Sequence, residues 1–228
     1  VGIDCFNDSI TGSPFKPADV EEAIIDSGSV DAASKVYKLL PETSAKTWYK
    51  TMYKNLPKST VTIWHIGCSV GLETYSNLIL LNELGILDRC RVIGTDLNPR
   101  VLAVAKKGEY VYRFNIHFKD NFDAVMKGIG SSSKFEDYFD VDETRDIMRV
   151  KSALLIRPKF LCQNLVQDKP PFAYKVDVVF IRNVMIYFND MLQRKIMTMI
   201  NDKLYKSGVV IFGKREAVPM SMKNRYDQ

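Results

Sequence analysis

"VTIWHIGCSVGLETYS", residues 61–76, runs from a β-prone stretch into Gly67, reaches a second glycine at Gly71, and places an acid, Glu73, just beyond. The residues that follow, up to Gly85, keep apolar side chains at helical spacing. The segment therefore reads as a strand, a tight turn and a helix that Gly85 closes. The same unit recurs downstream. "RVIGTDL" (91–97) reads as a strand and "PRVLAVAKKG" (99–108) as a helix closed by Gly108. "PKFLCQNL" (158–165), "KVDVVFIRN" (175–183) and "GVVIFGK" (208–214) are three further strands. Between the last two lies a helix over about 189–206, with Leu192, Ile196, Met199, Ile200 and Leu204 on one face. Strands alternating with helices imply a mostly parallel sheet covered on both sides, the α/β doubly wound, Rossmann-like class.

One segment breaks the alternation. Residues 135–160 carry charged turns and short β-prone pieces, which predicts a small antiparallel insertion, preceded by a loop at "SSSK" (131–134). Upstream, residues 17–26, 30–40 and 44–56 read as helices, with Pro17 suited to a first turn. The predicted organisation is a short helical segment over 1–57 and one main domain over 58–228, with 135–160 inserted in it.

Composition narrows the class. Apolar residues make up 46 % of 228, enough for a full core, and no run is long enough to cross a membrane. The first residues, "VGIDCFNDSITGSPFKPADVEE", lack the charged start and apolar centre of a signal peptide. Four scattered cysteines (Cys5, Cys68, Cys90, Cys162) form no CxxC pair, which fits a reducing cytoplasm. Two histidines, His65 and His117, are too few and too far apart for a metal site, and none is expected. The net charge of +5 suits an acidic partner, but without arginine clustering it argues against nucleic acid.

What the glycine turn holds follows from its neighbours. A phosphate-binding P-loop needs GxxxxGK[ST], which is absent, and GxGxxG is matched only in part by Gly67-Cys68-Ser69-Val70-Gly71. Asp96 ends the second strand, where an acid can accept both hydroxyls of a ribose. Glu73 would suit a cationic ammonium and repel a pyrophosphate. Together these favour S-adenosylmethionine over a dinucleotide. The bland alternative is a tight strand-to-helix turn with no ligand. A second string, "VDVVFIRNVMIYFND" (176–190), drives a buried strand into Arg182 and Asn183, a costly placement unless the pair is used or partnered.

Taken together, "IWHIGCSVGLETYS", "VIGTDLNPRVLAVAKKGEY", "FLCQNL", "VDVVFIRNVMIYFND" and "GVVIFGKREAV" resemble, in order and spacing, the motifs of the CheR family, over roughly residues 40–218. These chemotaxis receptor methyltransferases move a methyl group from S-adenosylmethionine to receptor glutamates, leaving S-adenosylhomocysteine. The resemblance implies that Gly67, Cys68, Ser69, Gly71 and Glu73 hold the methionine end, with Thr43 of the upstream string closing the cofactor site. It places Asp96 and Leu97 at the ribose, Asn164 and Leu165 by the adenine, and Arg182 and Asn183 along the cleft. Tyr187 would face the transferred methyl, so Tyr187 and Arg182 are the catalytic candidates. It also implies a receptor or similar signalling partner with acidic methylation helices, and no insertion into the membrane.

The sequence departs from the family pattern in places. Gly71-Leu72-Glu73-Thr74-Tyr75-Ser76 stands where the family has GEEPYS, keeping one of two acids. "PETSAKTWYK" (41–50) replaces an N-x-T-x-F-F-R string, and Lys214 and Arg215 precede Glu216 in place of His-Ser. These departures leave a second reading open, a non-catalytic sensor or scaffold that binds the same cofactor. Catalysis itself asks little of the protein. A glutamate side chain is ionised at neutral pH, so methyl transfer to it needs orientation, close approach and exclusion of water, with no general base. Lys46, Lys50 and Lys54 would form a basic stripe on the helix over 44–56, read as a solvated face before a receptor contact. His65, inside a strand, reads as a satisfied buried histidine.

Overall fold

The structure is a computed structural model that describes residues 60–213 together with Glu216, Val218 and Pro219. The helices expected over 17–26, 30–40 and 44–56, the lysine stripe and Thr43 lie outside the described residues.

Five strands, β1 (Val61–Ile66), β2 (Cys90–Asp96), β6 (Pro158–Cys162), β7 (Val176–Ile181) and β8 (Leu204–Phe212), form one sheet in the order β6-β2-β1-β7-β8. Every pairing in it is parallel. All six residues of β1 and of β7 are buried, as central strands covered on both faces require. The side chains divide by alternation. Val61, Ile63, Val178 and Phe180 pack under α1 (Leu72–Glu83) and α2 (Pro99–Lys107). Trp64, Ile66, Val179 and Ile181 face α5 (Asp190–Lys203) on the other side. The doubly wound class expected from the alternation is the observed one. From β1 the chain moves outward through β2 to β6, then returns to β7 on the opposite flank. The loops after β1 and β7 therefore open a crevice at the carboxyl ends of the strands, where such sheets bind ligands.

Local chemistry sets the helix ends. Asn98 caps α2 by accepting from Arg100 N, Pro99 begins the helix, and Gly108 ends it in a left-handed conformation. α5 stops at Lys203 and runs straight into β8, so that strand begins four residues before "GVVIFGK".

The antiparallel insertion is larger than residues 135–160. Its three strands, β3 (Glu109–Val111), β4 (Phe139–Asp142) and β5 (Ile147–Val150), pair in the order β3-β5-β4, and α3 (Ile116–Ile129) lies between β3 and β4. Past β5, the short α4 (Ser152–Leu155) leads back to β6 in the main sheet. α3 was not anticipated. Its signal is Phe118, Phe122, Val125, Met126 and Ile129, a helical period that is entirely buried. Two tyrosines tie the insertion to the main domain. Tyr110 donates to the carbonyl of Val70 in the glycine turn at 2.8 Å, and Tyr138 donates to Glu83 at the end of α1.

Gly94, inside β2, shows how tightly the sheet carries the crevice. A Cβ there would stand 2.7 Å from Phe160 Cδ1 and 2.9 Å from Cys68 Sγ. Gly94→Ala is expected to lower stability by about 1–3 kcal/mol, the usual range for overpacking. Urea denaturation checks this, and Phe160→Leu in the same chain should recover part of the loss.

Candidate active site

The site is built at the carboxyl ends of β1, β2, β6 and β7. The turn after β1 is held in left-handed geometry at Gly67 (φ 64°), Ser69 (φ 48°) and Gly71 (φ 85°). The two glycines are required for different reasons. A Cβ on Gly67 would lie 2.4 Å from Val184 Cγ2 in the loop after β7, whereas one on Gly71 would crowd Ala105 and Phe160 at 3.0 and 3.1 Å. Among the described residues only Ser69, Asp146 and Asn183 take positive φ without being glycine. Two of these three lie in the loops after β1 and β7, and such backbone strain clusters at functional sites.

Asp96 ends β2 beside this turn. Its Oδ2 accepts from Ser69 N and its Oδ1 from Asn98 N, both at 2.9 Å. Burial raises the Asp96 carboxyl above its ordinary value, and the nearby N–H groups of Asn98, Ser69 and Leu97 offset this in part, those of Ser69 and Asn98 at hydrogen-bond distance. A carboxylate oxygen has two acceptor sites, so each oxygen of Asp96 retains capacity for one further donor. Cys68, buried between Asp96 and Glu73, is held as a neutral thiol, first by desolvation and then by the two acids. It packs the turn, close under Gly94 of β2.

Glu73, in the first turn of α1, lies in a buried chain of polar groups. Its Oε2 pairs with Arg182 at 2.8 Å and its Oε1 accepts from His65 Nδ1 at 3.0 Å. Asn77 Nδ2 meets His65 Nε2 at 3.1 Å. An amide nitrogen only donates, so Nε2 is the acceptor and Nδ1 carries the proton that Glu73 receives. The imidazole stacks on Phe180 with centroids 4.5 Å apart. His65 is thus the satisfied buried histidine the sequence suggested, and it orients Glu73. The cost of burying Arg182 is met by Glu73, a partner 109 residues away.

The remaining candidates line the same sheet end. Asn164 and Leu165 follow β6, where Gln163 N bonds the carbonyl of Asp96 at 2.9 Å. Asn164 Oδ1 is engaged by Val166 N in a local turn. Leu97 is 43 % exposed at the lip. Tyr187 ends a short helical turn after β7 and is 65 % exposed, its ring turned to solvent beside exposed Ile186.

Sequence reasoning missed Glu216. Its Oε2 accepts from Asn183 N at 2.7 Å and Gly213 N at 2.9 Å, and its Oε1 from Val184 N and Met185 N, both at 2.7 Å. The sequence signal is modest: an acid shortly after the last strand of a doubly wound sheet, beside the loop of the neighbouring strand.

A doubly wound sheet with a tight glycine turn after its first strand and an acid ending its second is the arrangement of a nucleoside-binding class of proteins. Residues 38–228 match the family described as CheR methyltransferase, SAM binding domain. The chain belongs to the CheR methyltransferase family. It is 29 % identical over 185 residues to a chemotaxis protein methyltransferase of Borreliella burgdorferi, covering 79 % of this chain and 59 % of that protein. It is 32 % identical over 163 residues to chemotaxis protein methyltransferase 1 of Pseudomonas aeruginosa, covering 68 % and 54 %. The chain thus spans little more than half the length of these relatives. Among solved structures, a SAM-bound amino pentose methyltransferase from Micromonospora echinaspora has a TM-score of 0.46 at 11 % identity, covering 87 % of this chain and 56 % of that one. No helix among the described residues is long and apolar enough to cross a membrane.

Proposed function

We propose that the chain binds S-adenosylmethionine in the crevice between the β1, β2, β6 and β7 loops and transfers its methyl group to glutamate carboxylates of a chemotaxis receptor. The observation that carries this is that Asp96, ending β2, and the Glu73–Arg182 couple, joining the segments after β1 and β7, gather at one end of the sheet. The residues fit that cofactor. Asp96 keeps acceptor capacity on both oxygens for two ribose hydroxyls. Glu73 and Arg182 present opposite charges to an amino acid end that carries both. Glu73 just after the turn repels a pyrophosphate, which weighs against a dinucleotide. Leu97 and Leu165 offer apolar surface to the base, and Asn164 a polar edge.

When bound, the cofactor supplies a methyl group already activated by the sulfonium. The chain's task is to bring a carboxylate into line and exclude water. Tyr187, exposed beside the crevice, offers a hydroxyl to aim that carboxylate, and the Arg182 guanidinium lends positive potential nearby. The fold-level domain division, a main domain over 58–228 after a helical segment at 1–57, and a cytoplasmic setting belong to the same reading. The partner is a receptor with acidic helices.

The test is transfer of radiolabelled methyl from S-adenosylmethionine to receptor cytoplasmic fragments, followed by mild alkali. Label released as methanol is expected, since methyl esters are base-labile. Alkali-stable label would exclude a carboxyl ester and overturn glutamate as acceptor. Tight cofactor binding without transfer to any receptor fragment would favour the sensor reading.

A further inference from the structure

Glu216 is the one carboxylate among the described residues that gathers four backbone N–H groups, and it stands on a segment to which the methyl transfer reading gives no role. Three of those donors, Asn183, Val184 and Met185, are consecutive and turn the chain out of β7 directly after Arg182. The fourth, Gly213, follows β8 and closes the segment on itself, with Glu216 N returning to the Gly213 carbonyl at 3.0 Å. Consecutive N–H groups pointing to one side form a concave donor set, and a carboxylate there makes charge-assisted bonds at every position.

The clamped residues touch the site on two sides. Asn183 takes φ 56°, a left-handed conformation that asparagine tolerates better than other side chains and that turns the chain out of β7. Val184, next in line, is the side chain against which Gly67 packs so closely that no Cβ fits. The Glu216 carboxylate thus sets the loop after β7, and that loop in turn bounds the glycine turn after β1. Gly213 is shaped to the same contact. A Cβ there would meet Glu216 Oε2 at 2.6 Å and Asn183 Oδ1 at 2.8 Å.

We propose that Glu216 is a positioning residue for the cofactor crevice, its carboxylate locking the 183–185 backbone so that Asn183 and Arg182 meet the ligand while Val184 closes on Gly67. It touches no reacting atom and acts through the main chain. The inference rests on the cofactor reading above, and the test separates the two.

Wild type, Glu216→Gln and Gly213→Ala are compared by amide hydrogen exchange and by calorimetry with S-adenosylhomocysteine. In Glu216→Gln an amide NH2 replaces one oxygen and opposes two backbone donors. The expected result is exchange at least tenfold faster at residues 183–185, with unchanged exchange at Ser69, whose N–H bonds Asp96. Cofactor affinity should fall at least tenfold at a temperature where both proteins are fully folded. Gly213→Ala, which displaces the same carboxylate without removing it, should reproduce both changes. Unaltered exchange at 183–185 in both variants would overturn the clamp. Faster exchange with unchanged affinity would reduce Glu216 to a structural tie and equally overturn the proposal. A wild type that binds no S-adenosylhomocysteine would sink the cofactor reading instead, while the exchange data still report on the clamp.

Discussion

Asp96→Ala is expected to weaken S-adenosylmethionine and S-adenosylhomocysteine binding by on the order of a hundredfold or more. Two hydrogen bonds to an ionised acceptor are lost, each contributing about 1.5–3 kcal/mol. The substitution also frees Ser69 N from the group that fixes it, so the turn after β1 loses an anchor along with the ligand. Calorimetric titration checks this, with far-UV circular dichroism to show that the variant folds. Equal binding by wild type and variant would mean that the ribose lies elsewhere. A pH dependence accompanies the loss. Burial raises the Asp96 carboxyl above its ordinary value, and only the ionised form can accept both hydroxyls. Affinity should therefore decline with falling pH through a midpoint above that of an exposed aspartate, and the decline should vanish in Asp96→Ala. The sign for stability is opposite. A folded-state pKa raised by desolvation favours the folded form at low pH, and that contribution is lost as pH rises through the folded value. Asp96 thus costs stability at neutral pH, the trade expected of an acid kept for a ligand.

Breaking the Glu73–Arg182 pair is expected to produce the largest loss of stability. The two side chains are only 12 % and 8 % exposed, so removing one leaves the other charged and poorly solvated. Such a change costs about 3–5 kcal/mol. For a domain of this size, that corresponds to a melting temperature lower by roughly 6–20 °C. Arg182→Met strands Glu73 with His65 as its remaining partner, and Glu73→Ala strands the guanidinium. The double replacement Glu73→Met with Arg182→Met should regain much of the lost stability, because no uncompensated charge remains. It should bind no cofactor. Calorimetric melting of the three variants decides the matter. Single variants that melt with the wild type would show that solvent reaches the pair, and its role would then be confined to the ligand.

These two results bear on different parts of the same crevice. Asp96 is held by backbone donors from its own neighbourhood, so its loss is felt first in binding. Glu73 and Arg182 hold each other across the β1–β7 boundary, so their loss is felt in the fold as well. His65, buried and fully partnered, links the pair to Asn77 and keeps Glu73 directed at the crevice rather than at solvent.

The sequence alone was enough for the sheet and for placing Asp96 and Glu73 at its carboxyl end, but not for Glu216. Strands buried on both faces are near-continuous apolar runs, so "VTIWHI" and "VDVVFI" stood out despite the buried Thr62, His65 and Asp177. Asp96 was legible because it directly ends a strand, and the glycine turn because left-handed backbone asks for glycine at Gly67 and Gly71. Asn98, Pro99 and Gly108 marked α2 by purely local chemistry. α3 was just as local, in the spacing of Phe118, Phe122 and Val125, and could have been read. The partner of each buried charge could not. That Arg182 meets Glu73 follows from the β1–β7 register, in which Ile66 lies opposite Ile181, and no local pattern encodes that pairing. That Glu216 gathers the amides of 183–185 depends on β8 lying beside β7. Backbone conformation and burial are dictated by short stretches of side chains, whereas an ion pair or an amide clamp is decided by which strands become neighbours, and only the folded sheet sets that.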